Sequence, residues 1–443
     1  MIEAITRDDA QYACELVKTI CTEVGPGLPG SPQEQERAVV LRKELESHLG
    51  AENVTVEEFT LAPAAFLNPL PGLFLLLSVM LNIFIDRFTG GSLWIATITT
   101  LVLSILAPLM FTLEFFFGKE LVDPLFKQKQ SQNVIGMLRK PGTIAVKRLL
   151  ILSGHHDSAP ENTCLRFLSY INRVLTAKDR HDSAREDTRL RILGFGFYLL
   201  SATFLLGLVL MLVMSVVQLV GVITNNAGIV RAGTLGWILM IYPIVPAILF
   251  GLFSVKGGKD GGTVPGAVDN LAASALVVTM SRFLVKNPTH ISEGTEIRFI
   301  SFGSEEAGLR GSRRYVKRHL DELRRLDTRL LNIEMVAYPE ISILSSDING
   351  TVKNSSEMVQ SLITAAETAR VPYKVSSASI GVGSDAAPFT QAGLKAATML
   401  PFQVPQQTVA FYHQRWDTPE NLTIEPLINV LKLAVAWVNN NGD

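Results

Sequence analysis

The sequence is short of cysteine. Its three, Cys14, Cys21 and Cys164, are too scattered for a disulfide framework and lack the close pairing of a thiolate zinc site. Net charge is nearly absent as well: 40 basic residues against 41 acidic ones leave no footprint for a nucleic-acid partner. No apolar leader is visible, because the first residues, MIEAITRDDAQYA, are polar and acidic, so no signal peptide is expected. Charge is missing altogether over four long runs: Thr60–Ile85, Thr89–Leu113, Ile192–Val230 and Ala232–Val255. Each run is long enough for the ~20 residues of a membrane-spanning helix. The sequence therefore predicts four transmembrane helices in two inserted hairpins, 61–118 and 192–255.

What lies outside those runs has ordinary globular composition. A hairpin leaves a membrane on the side it entered, so segments 1–60, 119–191 and 256–443 share one side and can form a single interrupted domain. Apolar spacing predicts helices over 5–21 and 32–48 and a strand over 53–59. Lys147–Ser153 reads as a buried strand, and Ala177–Arg191 as a solvated charged helix. From residue 256 onward strands and helices alternate, beginning with helix 267–286 and strand 295–302. That order predicts an α/β fold, a mixed sheet flanked by helices on both faces. Basic residues such as Lys119, Lys127, Arg185 and Arg191 collect on the domain side of the runs, against Arg87 and Arg231 on the far side. By the positive-inside rule the catalytic domain is expected in the cytoplasm.

Five places combine metal-type ligands with strand ends or helix starts. His155 and Asp157 follow the strand at 147–153 and share a face of an extended segment. Asp269 opens a helix in Pro265-Gly-Ala-Val-Asp-Asn270, where a plain N-cap fits equally well. Glu305 and Glu306 stand where strand 295–302 ends, and alone they would pass for an acidic turn. Glu334 closes an apolar strand, where a carboxylate needs a partner, either a metal or a basic side chain. His413 lies in Tyr412-His-Gln-Arg-Trp-Asp417-Thr418, before the last helix. Together, two histidines and three carboxylates suit two zinc ions sharing a bridging acid.

This order of motifs, HxD, GAxDN, EE, N-x-acid, Ser384-Asp385 and YHxxxDT, resembles the M28 family of zinc exopeptidases. The resemblance covers Gly30-Ser31, most of 148–160 and 256–443; the hydrophobic hairpins have no counterpart in soluble members. It implies that His155, Asp269, Glu306, Glu334 and His413 hold zinc, with Asp269 bridging two ions. It implies Glu305 as general base and Asp157 as the residue orienting His155; many members have Asp where this chain has Glu334. The expected activity is that of a membrane-anchored aminopeptidase acting on peptides. The alternatives are a carboxypeptidase, a glutaminyl-cyclase-type activity on the same fold, or a non-catalytic membrane scaffold. The almost complete lack of ionisable residues inside the apolar runs argues against a transport pathway.

Overall fold

Helix α1 (Arg7–Glu23) forms because Ala10, Ala13, Leu16, Val17 and Ile20 make one apolar stripe, and Thr6 with Asp9 closes a capping box at its start. Helix α2 (Pro32–Leu49) begins where the Ser31 side chain accepts from the Glu34 amide and proline occupies the first turn. The computed structural model describes residues 5–66, 68–140, 142–143, 145–178, 183–239, 262–379 and 381–441. Strand β1 (Val54–Leu61) is followed by helices α3 (Leu70–Ile83) and α4 (Gly90–Phe115), then by strands β2 (Lys129–Arg139) and β3 (Arg148–His155). Helices α5 (Thr163–Lys178), α6 (Ser183–Ile223) and α7 (Ala227–Leu239) come next. The chain then runs through α8 (Ala272–Lys286), β4 (Thr295–Phe302), α9 (Arg310–Arg325), β5 (Asp327–Ile333) and β6 (Ile341–Leu344). It ends with β7 (Ser346–Asp347), β8 (Val352–Lys353), α10 (Ser356–Ala369), β9 (Tyr373–Ser376), α11 (Ala386–Gln391), β10 (Lys395–Leu400) and a helix over Ile424–Asn440.

Two units result. The first gathers 1–63, 123–161 and 258–443. Its eight-stranded sheet has the order β1-β2-β4-β3-β5-β10-β6-β9. Strands β4, β3, β5 and β10 run parallel, while β1 and β2 pair antiparallel at one edge and β6 pairs antiparallel with β10. Alternate residues of the central strands feed two cores, as a two-fold side-chain period requires. Leu150, Leu152, Ile297 and Phe299 pack under α1, α2 and α8, whereas Leu149, Ile151, Ile300 and Phe302 pack under α9 and α11. The predicted mixed sheet covered on both faces is thus present. Strand β2 was not foreseen, since its first residues, Lys129-Gln-Ser-Gln132, are polar; its place between β1 and β4 holds it. The helix expected over 267–286 starts later, because Ala267–Leu271 forms a wider turn with non-helical angles at Asp269 and Asn270.

The second unit, 64–122 with 162–257, holds the apolar helices. Among the described residues, three stretches are long and apolar enough to cross a membrane, where four were predicted. Two of them, Gly90–Phe115 and Leu206–Ile223, fall in the predicted runs. The third, Ala267–Lys286, is 89% buried and is a core helix of the first unit. The first run yields only the 14 residues of α3: its opening is used by the end of β1, and Pro69 and Pro71 delay the helix to Leu70. At 1.5 Å per residue that is about 21 Å, short of a ~30 Å hydrocarbon layer. The fourth run yields α7, and its remainder, 240–255, lies outside the described residues, as do His181-Asp182 and most of the Lys256–Gly262 exit. Residues 162–191, read from sequence with the catalytic parts, group with the apolar helices, and the charged stretch from Ser183 is continuous with α6.

In this unit apolar side chains cover the outside, and polar ones are buried beside a small apolar cluster of Leu75, Ala107, Leu208, Met211 and Trp237. Ser104, Ser215, Gln218 and Asn82 are buried, while Leu73, Ile95, Val209 and Ile223 are exposed. The buried groups pair across helices: Ser104 Oγ lies 2.8 Å from Ser215 Oγ, which also accepts from Trp237 Nε1 at 2.8 Å. Gln218 Nε2 donates to Asn82 Oδ1 at 2.8 Å and to Thr234 Oγ1 at 3.0 Å.

Candidate metal centre

Three neighbouring parallel strands, β4, β3 and β5, deliver their carboxyl ends to one place, where open α/β sheets bind ligands. His155 is the last residue of β3, Glu305 and Glu306 form the short turn after β4, and Glu334 follows β5. Asp269 reaches the same point from the turn before α8, and His413 from the loop after β10. Asp269 faces both histidines: its Oδ1 is 3.4 Å from His155 Nε2 and its Oδ2 is 3.2 Å from His413 Nε2. Glu334 Oε2 and Glu305 Oε2 each lie 3.6 Å from His155 Nε2, and Glu306 Oε1 lies 3.1 Å from His413 Nε2. Two half-sites share Asp269: His155 with Glu334, and His413 with Glu306, with ligand atoms in each within 4.8 Å of one another. All six residues singled out from sequence around this centre are therefore brought together.

The turn bearing the two glutamates is held from several sides. Asp157 Oδ1 and Oδ2 accept from the Glu305 and Glu306 amides, each at 3.0 Å. Asp157 Oδ1 also lies 3.2 Å from His155 Nδ1, so one carboxylate positions both a ring and a backbone. A Cβ on Gly303 would come within 2.5 Å of the Gln132 carbonyl, and one on Gly311 within 2.4 Å of the Gly303 carbonyl. Only glycine lets this turn lie against β2.

Comparison with known proteins follows this geometry. Residues 254–438 match the model of peptidase family M28. That match spans about two fifths of the chain. Aminopeptidase YwaD of Bacillus subtilis (strain 168) is 33% identical over 177 residues, a match covering 39% of this chain and 37% of that protein. The chain thus spans little more than a third of that relative. The solved zinc aminopeptidase BSAP from Bacillus subtilis is similar in fold, with a TM-score of 0.51, 17% identity and coverage of 97% of this chain and 94% of that one. A glutaminyl cyclase from Fimbriiglobus ruber is also similar, at TM-score 0.53 and 12% identity, covering 99% and 96%. At such identities these structures speak to fold alone.

The metal centre depends on residues that carried no assigned role in the sequence. Asp417 accepts from the Val268 amide at 2.8 Å and the Asp269 amide at 3.1 Å, gripping Asp269 as Asp157 grips the glutamates. Asn270 Nδ2 donates to Glu334 Oε2 at 2.6 Å and Asn332 Nδ2 to Glu334 Oε1 at 2.8 Å. Two residues of α2 reach the site from the other end of the chain. Buried Arg37 donates to the carbonyls of Gly25, His156 and Pro265, tying the His155 and Asp269 segments together. Glu34 accepts from Ser304 Oγ at 2.7 Å, from Ser131 Oγ at 3.0 Å and from the Gly30 amide. It thereby fixes Ser304, which has a left-handed φ of 54°, immediately before Glu305. The family's Gly-Ser match lies just ahead of Glu34 in sequence, the one signal that could have pointed to it.

Charge in the centre is unbalanced. Burial and the neighbouring carboxylates Glu306, Glu334 and Asp385 hold Glu305 well above the usual carboxylate range, against the pull of His155. Burial also raises Glu306 and Glu334. Burial works against protonation of His413, but Glu306 and Asp269 outweigh it and push it up to about 10. His155 is likewise raised, burial being overcome by Glu305, Asp157 and Asp269. Asp385 is buried, and burial pushes it up to about 7 against the pull of His155 and the Ser312 hydroxyl. Among the described residues no Lys or Arg pairs with Asp269, Glu305, Glu306 or Glu334; the cationic groups that face these four acids are the imidazoles of His155 and His413. Where no dication does so, protons on the two imidazoles offset part of this charge. A nitrogen-and-oxygen donor set with more buried carboxylates than cationic partners fits zinc well.

Proposed function

We propose that this chain is a membrane-anchored, zinc-dependent aminopeptidase. The observation that carries the reading is Asp269 aiming one oxygen at each histidine, with Glu334 and Glu306 completing the two halves. His155, Asp269 and Glu334 would hold one zinc, and His413, Asp269 and Glu306 a second. Bound zinc lowers the pKa of a ligated water from ~15.7 toward 7. Glu305 remains as the proton carrier. Its side chain is 12% exposed, against 8% for Glu306 and Asp269 and 5% for Glu334, so it is the acid most open to water and substrate. Glu305 takes a proton from the water that attacks the scissile carbonyl and returns it to the leaving amine. Asp157 keeps His155 oriented and the Glu305 amide in place throughout. Similarity to the aminopeptidase YwaD over 177 residues favours release of N-terminal residues over the carboxypeptidase and cyclase alternatives.

The membrane part of the reading rests on the apolar outer faces of the second unit, with hydroxyl and carboxamide groups buried between its helices, which suits lipid and not water. The basic residues flanking the apolar helices favour a cytoplasmic M28 region. Metal analysis of the purified chain, with peptides free or blocked at either end, tests the enzyme. Zinc in the protein and cleavage of peptides with a free amino end only are expected. Cleavage that needs a free carboxyl end instead, or no zinc, would sink the reading. Orientation is tested by protease treatment of sealed vesicles, where cutting of the M28 region from the outer face alone would refute the cytoplasmic placement.

A further inference from the structure

Helix α5 is turned inside out. Its buried stripe is Leu165, Ser169, Asn172 and Thr176, three of them polar. On the opposite side, at i, i+3 and i+7, Phe167 is 61% exposed, Tyr170 60% and Val174 38%. A helix packed on a protein in water shows the reverse. The orientation is fixed by specific bonds to the first turns of α6. Arg189 Nη2 donates to Thr176 Oγ1 at 2.9 Å, and Asn172 Nδ2 donates to Glu186 Oε1 at 3.3 Å. Just beyond these anchors α6 changes character: after Arg191 come Ile192, Phe195 and Leu199, at 65%, 68% and 54% exposure. Helix α5 is therefore pinned at the level where α6 passes from charged to apolar surface. Residues 163–191 carry seven basic side chains against four acidic ones, a balance that suits an anionic lipid surface.

We propose that α5 is an interfacial helix, lying in the plane of the membrane surface with Phe167, Tyr170 and Val174 set among the lipid chains. The proposal rests on the membrane reading of α4 and α6. Its exposed face is continuous in character with theirs, and an aromatic pair at the headgroup level is the residue type that such a position favours.

The test uses the full chain with Cys14, Cys21 and Cys164 replaced by Ser, in vesicles containing phosphatidylglycerol. Single spin labels are placed at Phe167→Cys, Tyr170→Cys and Val174→Cys. Val209→Cys on α6 serves as the lipid reference and Lys43→Cys on α2 as the aqueous one. Collision with oxygen several-fold above collision with a water-soluble nickel complex is expected at 167, 170, 174 and 209, and the inverse at 43. If 167, 170 and 174 behave like 43 while 209 reports lipid, the interfacial helix is refuted and the membrane reading stands. If 209 also reports water, the membrane reading itself falls. Spin–spin broadening at 167 or 170 that grows with protein-to-lipid ratio would assign the face to a second copy and overturn the proposal.

Discussion

Both units of this chain bury polar groups, and they do so in different ways. In the first, the buried groups are ionisable, converge at the ends of three parallel strands, and are gripped by carboxylates and amides drawn from distant segments. In the second, apart from Glu114, they are hydroxyls and carboxamides, several of which pair between helices whose outer faces are apolar. The contrast teaches that burial of a polar residue is no sign of function by itself. A buried cluster with more carboxylates than cationic partners demands a cation, whereas neutral side chains that pair with one another hold helices together.

The largest effect is expected at Glu305. Glu305→Gln keeps the size and the turn but cannot carry a proton, so hydrolysis should fall about 10²–10⁴-fold with zinc content unchanged. Steady-state kinetics with metal analysis checks this; near-normal turnover would remove Glu305 from the proton path. His413→Ala should instead lower bound zinc. Next comes Arg37→Ala, which takes the guanidinium from the buried carbonyl of His156 and the half-buried carbonyls of Gly25 and Pro265. At about 1–3 kcal/mol for each unpaired group, a loss of several kcal/mol is expected in the melting of the first unit. Arg37→Lys should recover a fraction, since an ammonium cannot span three carbonyls at once.

A smaller, signed effect concerns pH. His413 is raised above its unfolded value of 6.5 to about 10 in the zinc-free centre. Its contribution to zinc-free stability is thus full below about 6.5 and is lost as pH rises through about 10. Zinc must displace that proton, so zinc affinity should move the other way, rising by up to about tenfold per pH unit over the same window. Isothermal titration in buffers of different ionisation enthalpy reads the displaced protons directly. A flat affinity between pH 6.5 and 9 would show that the imidazoles are already neutral and that the charge argument is wrong.

The difference between the units also explains what could be read from sequence. His155, Asp269, Glu305, Glu306, Glu334 and His413 sit in short motifs beside strand or helix signals, so local pattern exposes them. Arg37 and Asp417 do their work on backbone groups; Arg37 reaches the Pro265 carbonyl across 228 positions, and no spacing encodes such a contact. Absence of charge marked the apolar runs, yet it could not say where a helix begins. Thr60 and Leu61 belong to β1, and Pro69 and Pro71 set the start of α3. The sign of α5 was equally hidden, because an amphipathic pattern gives the stripe but not the medium it faces.

The smallest effect should come from the hydroxyl and amide network, and its smallness is informative. Gln218→Leu removes two bonds, to Asn82 and Thr234, and also removes Gln218 Oε1, a buried acceptor without a partner. Hydrogen bonds between helices in lipid are worth about 0.6 kcal/mol on average and less than about 2 at most. The lost acceptor offsets part of that, so a shift below about 1 kcal/mol is expected in the unfolding of reconstituted protein, with zinc content and peptide hydrolysis unchanged. A loss as large as that of Arg37→Ala would mean that the network is a site and not an adhesive between helices. The two units would then bury polar groups for the same reason, and the comparison would fail.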